Sequence, residues 1–527
     1  MSEKLEFESA ELCGMTLAFH AQERPDKMAV VTNYGQRTFA ELNARINQLV
    51  RSFRAAGLKT DDGVAMLLVN RPEFVEVYYA CMRGGFRITP INWHLSGDNA
   101  SYIVENSGAK AFIADVLCED GAIEAIENNH EQLILSLAVG GDMRGFDSYE
   151  NVISDQESGS ISDPEIGTSM LYTSGTTGRP KGVYRERVPP VAGANVTTTI
   201  VDVTAAFDPE TDFTLCTGPA YHAAPLAFNI IGPLSRGTGI VMMDKWDAEL
   251  TLKMIAEYRV THTHMVATMF HRLLALPEAL RNKYDLSSLR YILHGAAPCP
   301  VHVKQAMMDW VGPIIFEYYA ATEGGGGFFI TPKEWLKKPG SVGKAPPSAD
   351  NKICNDDGDT LSTEEIGTIY FKAPATRFKY FRDTDKTEGS YQGDYFTLGD
   401  MGYFDSDGYL FLTGRSAETI ISGGVNIYPQ ETDDVLLKHD AVADVCTVGI
   451  PSEEWGEDVK SVIQLKSGIT ESESLVKELI NFVRGQLPAF KAPRTIDFVN
   501  ELPRLPSGKI QRKLVRAPYW AGRDKQI

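Results

Sequence analysis

The run YTSGTTGRPKG, Tyr172 to Gly182, follows an apolar strand-like stretch that ends at Leu171. Four hydroxylated residues (Thr173, Ser174, Thr176, Thr177), two glycines (Gly175, Gly178) and a basic pair (Arg179, Lys181) make a loop whose backbone N–H groups and hydroxyls can wrap phosphate oxygens. It is not a Walker A loop, because Lys181 is followed by Gly182 where that spacing requires Ser or Thr. A flexible linker rich in Gly and Thr is the competing reading, and the order Pro180-Lys181-Gly182 argues against it. Two other constellations invite a metal reading and lose it. His262 and His264 stand two apart in a strand pattern, but no third ligand lies at metal spacing. The DSDG of Asp405 to Gly408 starts like a calcium loop, yet the Glu required at its twelfth position is missing, so it reads as a hairpin turn.

The phosphate loop resembles that of the adenylate-forming superfamily, which holds acyl-CoA synthetases, firefly-luciferase-like enzymes and the adenylation domains of peptide synthetases. Further stretches are similar to the family's motifs and follow its order. They are YHAAP at Tyr221 to Pro225, HGAAP at His294 to Pro298, YAATEG at Tyr319 to Gly324, EIGTIYFKAP at Glu365 to Pro374 and YFTLGD at Tyr395 to Asp400. GRSAETIISGGVNIYPQE at Gly414 to Glu431 and LPRLPSGKIQRK at Leu502 to Lys513 complete the series, so the resemblance covers essentially the whole chain. It implies a two-step reaction. A carboxylate attacks the α-phosphorus of ATP, releasing pyrophosphate and leaving an acyl-adenylate; a thiol then displaces AMP and forms a thioester.

The first step joins two anions, so cationic stabilisation of an in-line transition state must carry it. By resemblance, the Thr-rich loop holds the β and γ phosphates, Glu323 binds Mg²⁺ as a hard oxygen ligand, and Lys509 bridges the carboxylate and the α-phosphate. Asp400 matches the carboxylate that accepts both ribose hydroxyls, with Arg415 on the ribose and α-phosphate side. Ala296, Glu317, Tyr318 and Thr322 match positions around the adenine and the adenylate phosphate. His222 matches the residue that gates the acyl pocket, which Val266, Gly324 and Gly325 are expected to line. Gly324 to Gly327 present backbone without side chains there, which suggests room for a long or bulky acid: fatty, aromatic or steroid-like.

The expected acceptor is coenzyme A. SGGVNIYPQE and the WGE of Trp455 to Glu457 resemble CoA ligases, in which Ser422, Gly423 and Gly424 border the pantetheine tunnel; narrow glycine walls let a thin arm pass. The chain runs 14 residues past Lys513, so no fused carrier-protein domain is expected. Carrier-protein loading, luciferase-like oxygenation of the adenylate and a silent nucleotide-binding homologue are the alternatives. A silent homologue would be expected to have lost Lys509, Glu323 or the Thr-rich loop, and all are present. One position departs from the family: Ala417, followed by Glu418, stands where an Asp or Lys usually sits at the hinge between domains.

The elements that must position these residues form an α/β pattern. Thr38 caps a helix whose apolar residues Phe39, Leu42, Ile46, Leu49, Val50 and Phe53 keep the 3.6 period, and Gly57 ends it. A buried strand is predicted at Val64 to Val69, a helix opened by Pro72, and a strand near Ile88. Strands at Phe213 to Cys216, Ile240 to Met243, Thr261 to Val266, Arg290 to Leu293 and Ile314 to Tyr318 alternate with helix-length segments, the pattern of doubly wound, mostly parallel sheets. After about residue 340, short strands and turns such as Asp357-Gly358 and Asp407-Gly408 read as a small antiparallel or barrel-like layer. The expected domains are 1–413, the large AMP-binding unit, and 414–527, a smaller mobile α+β unit that carries the lysine.

The 527 residues hold 51 Lys+Arg and 70 Asp+Glu, a net charge of −19, which excludes duplex nucleic acid and anionic membrane as partners. The acidity is uneven: residues 414–527 carry 15 basic and 16 acidic side chains, and within them residues 484–527 carry 10 basic and 3 acidic. No leader and no apolar stretch near the roughly 18 residues of a membrane span are visible, so the cytoplasm is the expected location. The seven dispersed cysteines, without a CxxC pair, read as reduced thiols. The partner implied is a small carboxylic acid, and a homodimer is among the assemblies the family shows.

Overall fold

The computed structural model describes residues 5–173, 179–187, 204–374, 376–505 and 508–521. Its first long helix, Phe39–Ala55, is set by a capping box: the Thr38 hydroxyl accepts from the Glu41 N–H, and the Glu41 carboxylate accepts from the Thr38 N–H. The six apolar residues of its 3.6-residue stripe are all buried. The helix Pro72–Gly84 follows, with proline in its first turn and Gly85 at φ +80° closing it. It is buried on nearly every side because it lies between two sheets: one core cluster joins Phe74, Val75 and Val77 to Val30 and Ile240 of the first sheet and Val64 and Ile113 of the second. Each such fully buried aliphatic or aromatic side chain contributes roughly 1.5–3 kcal/mol.

The second of these sheets has six strands, all paired in parallel, in the order Asp147–Ser148, Leu135–Val139, Ala109–Asp115, Gly63–Leu67, Arg87–Pro90, Thr168–Ser169. The first has eight, in the order Gly326–Ile330, Ile315–Ala320, Tyr291–His294, His262–Met265, Phe213–Cys216, Gly239–Met242, Met28–Thr32, Gly35–Thr38. Only its two edge strands are antiparallel. Parallel strands covered on both faces explain the short, unbroken apolar runs in the sequence. The His262/His264 strand belongs here, its side chains buried in the sheet.

Beyond residue 340 an antiparallel sheet of six strands forms, with Tyr395–Phe404 paired to Leu410–Arg415 across the Asp405 to Gly408 turn. That turn is a hairpin closed by Asp405, whose carboxylate accepts from the N–H groups of Asp407 and Tyr409. The pairing runs through Gly414 to Arg415, and a turn of 3-10 helix, Ser416–Glu418, leads into the terminal unit. There a five-stranded sheet centred on Val442–Ser452 and Gly456–Leu465 packs against the helices Pro429–Leu436 and Glu473–Arg484 through its own core of Val435, Val445, Ile463, Leu479 and Val483. The seven cysteines are all free, and among the described residues no helix is long and apolar enough to cross a membrane.

Candidate active site

In open parallel sheets ligands bind at the carboxyl ends of the strands, and the motif residues gather there. Successive residues of Ile315–Ala320 point to opposite faces. Tyr319 faces the antiparallel sheet, where its phenol donates to Asp400 Oδ2 at 2.6 Å. The other oxygen, Oδ1, accepts from Arg415 Nε at 2.9 Å, and Asp400 and Arg415 are register partners on paired strands. Burial, then the neighbouring Asp400 charge, pushes the Tyr319 phenol well above its ordinary value, so it remains a donor. Asp400 itself is buried, with its orientation set from two sides.

The terminal unit brings Lys509 to this pair. Lys509 lies on a tight turn: Leu505 N–H donates to its carbonyl at 2.8 Å, Gly508 N–H donates to Leu505 at 2.8 Å, and Arg504 ties the Gly508 carbonyl to the Asp444 carboxylate. Gly508 has φ +83°, and a Cβ there would strike the Thr268 hydroxyl of the large unit, so glycine permits both the turn and the approach. Burial lowers the Lys509 pKa, and Arg415 lowers it further against the opposing pull of Glu418 and Asp400. Lys509 thus sits in the field of the two residues expected to hold the ribose. His271 to the Ala443 carbonyl at 3.0 Å and Arg512 to Glu418 at 3.2 Å also cross between the units or clasp the hinge turn. Ala417 is exposed and makes no charged contact; Glu418 provides one instead.

A small three-stranded sheet supports the phosphate side, in the order Lys379–Tyr380, Lys181–Tyr184, Leu171–Thr173. Thr173 and Lys181 are register partners, so the two flanks of the loop are pinned together; Ser174, Gly175, Thr176, Thr177 and Gly178 lie outside the described residues. Tyr380 links the rest: its phenol donates to Glu323 Oε1 at 3.0 Å, and the Lys181 ammonium is 5.6 Å from its ring. Lys181 also pairs with Asp383 at 3.0 Å. Arg185 donates to the Thr322 carbonyl at 3.2 Å and fixes the YAATEG turn against the same sheet. Tyr319, Tyr380, Asp383 and Arg185 were not singled out from the sequence. Tyr319 opens a quoted motif, whereas the other three are joined to the site by pairing across long stretches of chain.

Other expected residues are placed differently from a simple nucleoside lining. The Glu317 carboxylate accepts from the fully buried Lys304 ammonium at 2.6 Å and is committed to that pair. Tyr318 turns to the face opposite Tyr319 and lies on Gly295, where a Cβ would come within 2.4 Å of its ring. Ala296, next in the HGAAP loop, has φ +66°, a left-handed conformation rare for a residue with a side chain and of the strained kind that clusters at functional sites. Gly324 and Gly325 have φ +87° and +82°; a Cβ on Gly325 would collide with Phe396 and Phe371, and one on Gly324 would approach Arg185. Positive φ at both positions and aromatic packing at Gly325 are thus local reasons for glycine here.

His222 precedes a seven-residue π-helix, Pro225–Ile231, a rare conformation often found at functional sites. Its Nε2 is buried with no hydrogen-bond partner among the described residues, and burial, helped by His94, lowers its pKa to about 4, so the ring is neutral at ordinary pH. Val266 is buried at the carboxyl end of His262–Met265. On the terminal unit Ser422, Gly423 and Gly424 form the hairpin between Ile420–Ser422 and Val425–Ile427. Trp455 covers Gly423, and the Arg494 guanidinium stands 4.9 Å from the Trp455 ring centroid.

Comparison with known proteins accords with this geometry. Residues 17–381 match the family model of the AMP-binding enzymes, and residues 431–509 match that of the AMP-binding enzyme C-terminal domain. The chain is 30% identical to the indoleacetate–CoA ligase of Aromatoleum aromaticum, over 94% of this chain and 96% of that protein. It is 28% identical to the fatty acid–[acyl-carrier-protein] ligase ScoC of Streptomyces coeruleorubidus, over 97% of each. The crystal structure of the anthranilate CoA ligase AuaEII with anthranoyl-AMP shares the fold, with a TM-score of 0.85 at 24% identity over 98% of this chain and 99% of that one. The protein belongs to the AMP-binding enzyme family. Within the adenylate-forming enzymes it falls in the branch that contains the CoA ligases.

Proposed function

We propose that this enzyme activates a carboxylic acid with ATP, giving an acyl-adenylate and pyrophosphate, and then transfers the acyl group to coenzyme A. The observation that carries the reading is that Lys509, in the terminal unit, lies in the field of Asp400 and Arg415, which are paired where the large unit's antiparallel sheet meets the hinge. Asp400, oriented by Tyr319 and Arg415, holds the ribose. The Lys509 ammonium then meets the oxygens of the attacking carboxylate and the α-phosphate, where two negative charges must be brought together. Lys181 faces the phosphate chain from the flank of its loop.

Glu323 suits Mg²⁺. Among the described residues no group of three or more His, Cys, Asp or Glu could hold a metal, and Mg²⁺ is commonly held by one or two carboxylates together with substrate phosphates. When bound there it neutralises charge on the departing pyrophosphate; Tyr380 keeps the Glu323 carboxylate in place by donating to it. For the second step, the terminal unit turns about the Ser416–Glu418 segment, at the boundary between units 1–413 and 414–527, and brings the Ser422–Gly424 hairpin over the site. Trp455 and Arg494 support that hairpin, and a glycine-lined edge passes the pantetheine arm. The acid belongs to the fatty or aromatic classes. Seven free cysteines suit a reducing cytoplasm. A carrier-protein thiol is the second reading, supported by the likeness to the Streptomyces carrier-protein ligase.

A panel of carboxylic acids tests the reading, with pyrophosphate release measured with and without CoA. Acid-dependent pyrophosphate release and a CoA-dependent thioester are expected. Release without any thioester, or a thioester only with a carrier protein, would contradict the CoA assignment.

A further inference from the structure

The helix Ala267–Leu274 begins just past the carboxyl end of the strand His262–Met265, on the edge where the motif residues gather. One side of it is committed to the interior: Met269, Phe270 and Leu273 share a core cluster with Met307 and Met308 of the helix Val301–Val311. The helix is therefore a rigid support. Thr268 and His271, three residues apart and so on one face, are only partly buried. The terminal unit meets both. His271 Nε2 lies 3.0 Å from the Ala443 carbonyl, and Gly508 closes on the Thr268 hydroxyl so tightly that a Cβ at Gly508 would collide with it.

Both contact points are prepared by the fold of the terminal unit. The ladder of Val442–Ser452 with Gly456–Leu465 pairs Val442 with Leu465 and Asp444 with Gln464, so Ala443 is a bulge residue with no partner in it. A bulge re-aims the chain, and here the Ala443 carbonyl accepts from the large unit. A carbonyl can only accept, so the His271 ring is the donor. Burial keeps its pKa below the ordinary value against the opposing pull of Asp444, and at neutral pH the uncharged ring carries its hydrogen on Nε2. The two points are also joined to each other. Asp444, next to Ala443, binds Arg504 through its carboxylate, and Arg504 donates to the carbonyl of Gly508, the residue before Lys509. Fixing Ala443 and Gly508 against the helix thus fixes the turn that carries Lys509.

We propose that His271 and Thr268 are positioning residues that dock the terminal unit for adenylation: the His271 hydrogen bond to the Ala443 carbonyl and the seat of Gly508 on Thr268 hold the Lys509 turn against the large unit, and both are released for thioester formation. The proposal rests on the two-step function above. Neither residue belongs to the nucleotide or phosphate machinery, so removing either is expected to act on one half-reaction and spare the other.

The test measures both half-reactions in the full-length enzyme, for wild type, His271→Leu, His271→Gln and Thr268→Leu. They are ATP-dependent adenylate formation from benzoate, cinnamate, octanoate or dodecanoate, and thioester formation from the corresponding supplied acyl-adenylate and CoA. His271→Leu removes the donor and is expected to lower adenylation about tenfold, the scale of one hydrogen bond, with thioester formation within about twofold of wild type. His271→Gln offers an amide N–H in place of Nε2–H and is expected to bring adenylation back to within about threefold of wild type. Thr268→Leu puts bulk where Gly508 closes and is expected to lower adenylation at least as far as His271→Leu; it decides the matter if His271→Leu does not fold. Amide hydrogen exchange of the segment Gly508 to Lys513 in the Mg²⁺–ATP complex reads the docking without any acid, and is expected to quicken in both Leu variants but not in His271→Gln. Parallel loss of both half-reactions, unchanged adenylation in either Leu variant, or a Gln variant as poor as Leu would overturn the proposal. Failure of the wild type to form adenylate from any of the four acids would instead count against the acid-activating function, and amide exchange would still decide the docking.

Discussion

The large and terminal units hold their charges in opposite ways. In the large unit the groups expected to face the nucleotide are fixed by neighbours: Asp400, on a paired strand, by Tyr319 and Arg415, Glu323, on a turn, by Tyr380, and Lys181, on a paired strand, by Asp383. In the terminal unit the basic segment looks like a cationic lid in the sequence, yet five of its eight described basic residues pair within the unit. Lys491 pairs with Glu431, Arg494 with Asp458, Arg504 with Asp444, Arg512 with Asp433 and Glu418, and Arg516 with Glu457. Lys509 makes no ion pair within 4.0 Å among the described residues, though it is drawn into the field of Asp400. The contrast teaches that regional charge is a poor guide to available charge: of the described basic residues in this segment, the proposed catalytic lysine is one that the fold leaves without an ion pair.

If the large unit is the pre-set half, removing its anchor has the larger effect. Asp400→Ala removes the acceptor on which Tyr319 and Arg415 converge, and kcat/KM for ATP is expected to fall about a hundredfold, as for loss of a charge-assisted hydrogen bond or two. Tyr319→Phe keeps the carboxylate but releases one side of it, with an expected loss of about tenfold. Steady-state kinetics at varied ATP checks both, and equal effects would mean that Tyr319 does not merely orient Asp400. Glu323→Gln weakens an oxygen ligand, so the Mg²⁺ concentration for half-maximal adenylation is expected to rise about tenfold; an unmoved Mg²⁺ titration contradicts the ligand role.

The terminal unit is probed by pH. The charged form of Lys509 exists below its pKa and is lost as pH rises through it. Because burial lowers that pKa from 10.5, the alkaline fall in kcat/KM for adenylation is expected at lower pH than for an ordinary lysine. In Lys509→Arg the guanidinium stays charged, and the limb is expected to move upward; an unmoved limb would assign it to another group. The smallest effect belongs to Glu418, half-exposed and 3.2 Å from Arg512. Glu418→Ala is expected to cost about 0.2–1 kcal/mol, a severalfold change at most in the balance of the two half-reactions, as for a partly exposed pair. A pre-steady-state comparison of adenylation and thioester formation reads it.

Much of the fold was legible because its causes are local. The helix Phe39–Ala55 declares itself through Thr38, Glu41 and a stripe of six apolar residues, and the parallel strands through short apolar runs between helices. Asp400, Arg415, Glu323 and Lys509 could be singled out because they stand in strings of special residues. Their partners could not. Tyr380 reaches Glu323 from a two-residue strand whose place is set by pairing with Lys181–Tyr184, nearly 200 residues earlier. Glu317 reads as a nucleoside contact, and nothing in its motif signals that Lys304, on the helix Val301–Val311, pairs with its carboxylate. Gly324 to Gly327 read as open space, and only the positions of Phe371 and Phe396 reveal that a side chain at Gly325 would collide. Side chains that act through another residue leave little local pattern, since their spacing is made by the sheets.

The central claim is that Lys509 serves adenylation alone, delivered by a unit that later presents a different edge. The most direct measurement is of the two half-reactions in Lys509→Ala: acid-dependent adenylate formation from ATP, and thioester formation from supplied acyl-adenylate and CoA. Adenylation is expected to fall about a thousandfold, the scale of losing one preorganised transition-state contact, while thioester formation stays within a few-fold of wild type. Equal loss in both half-reactions would contradict the account.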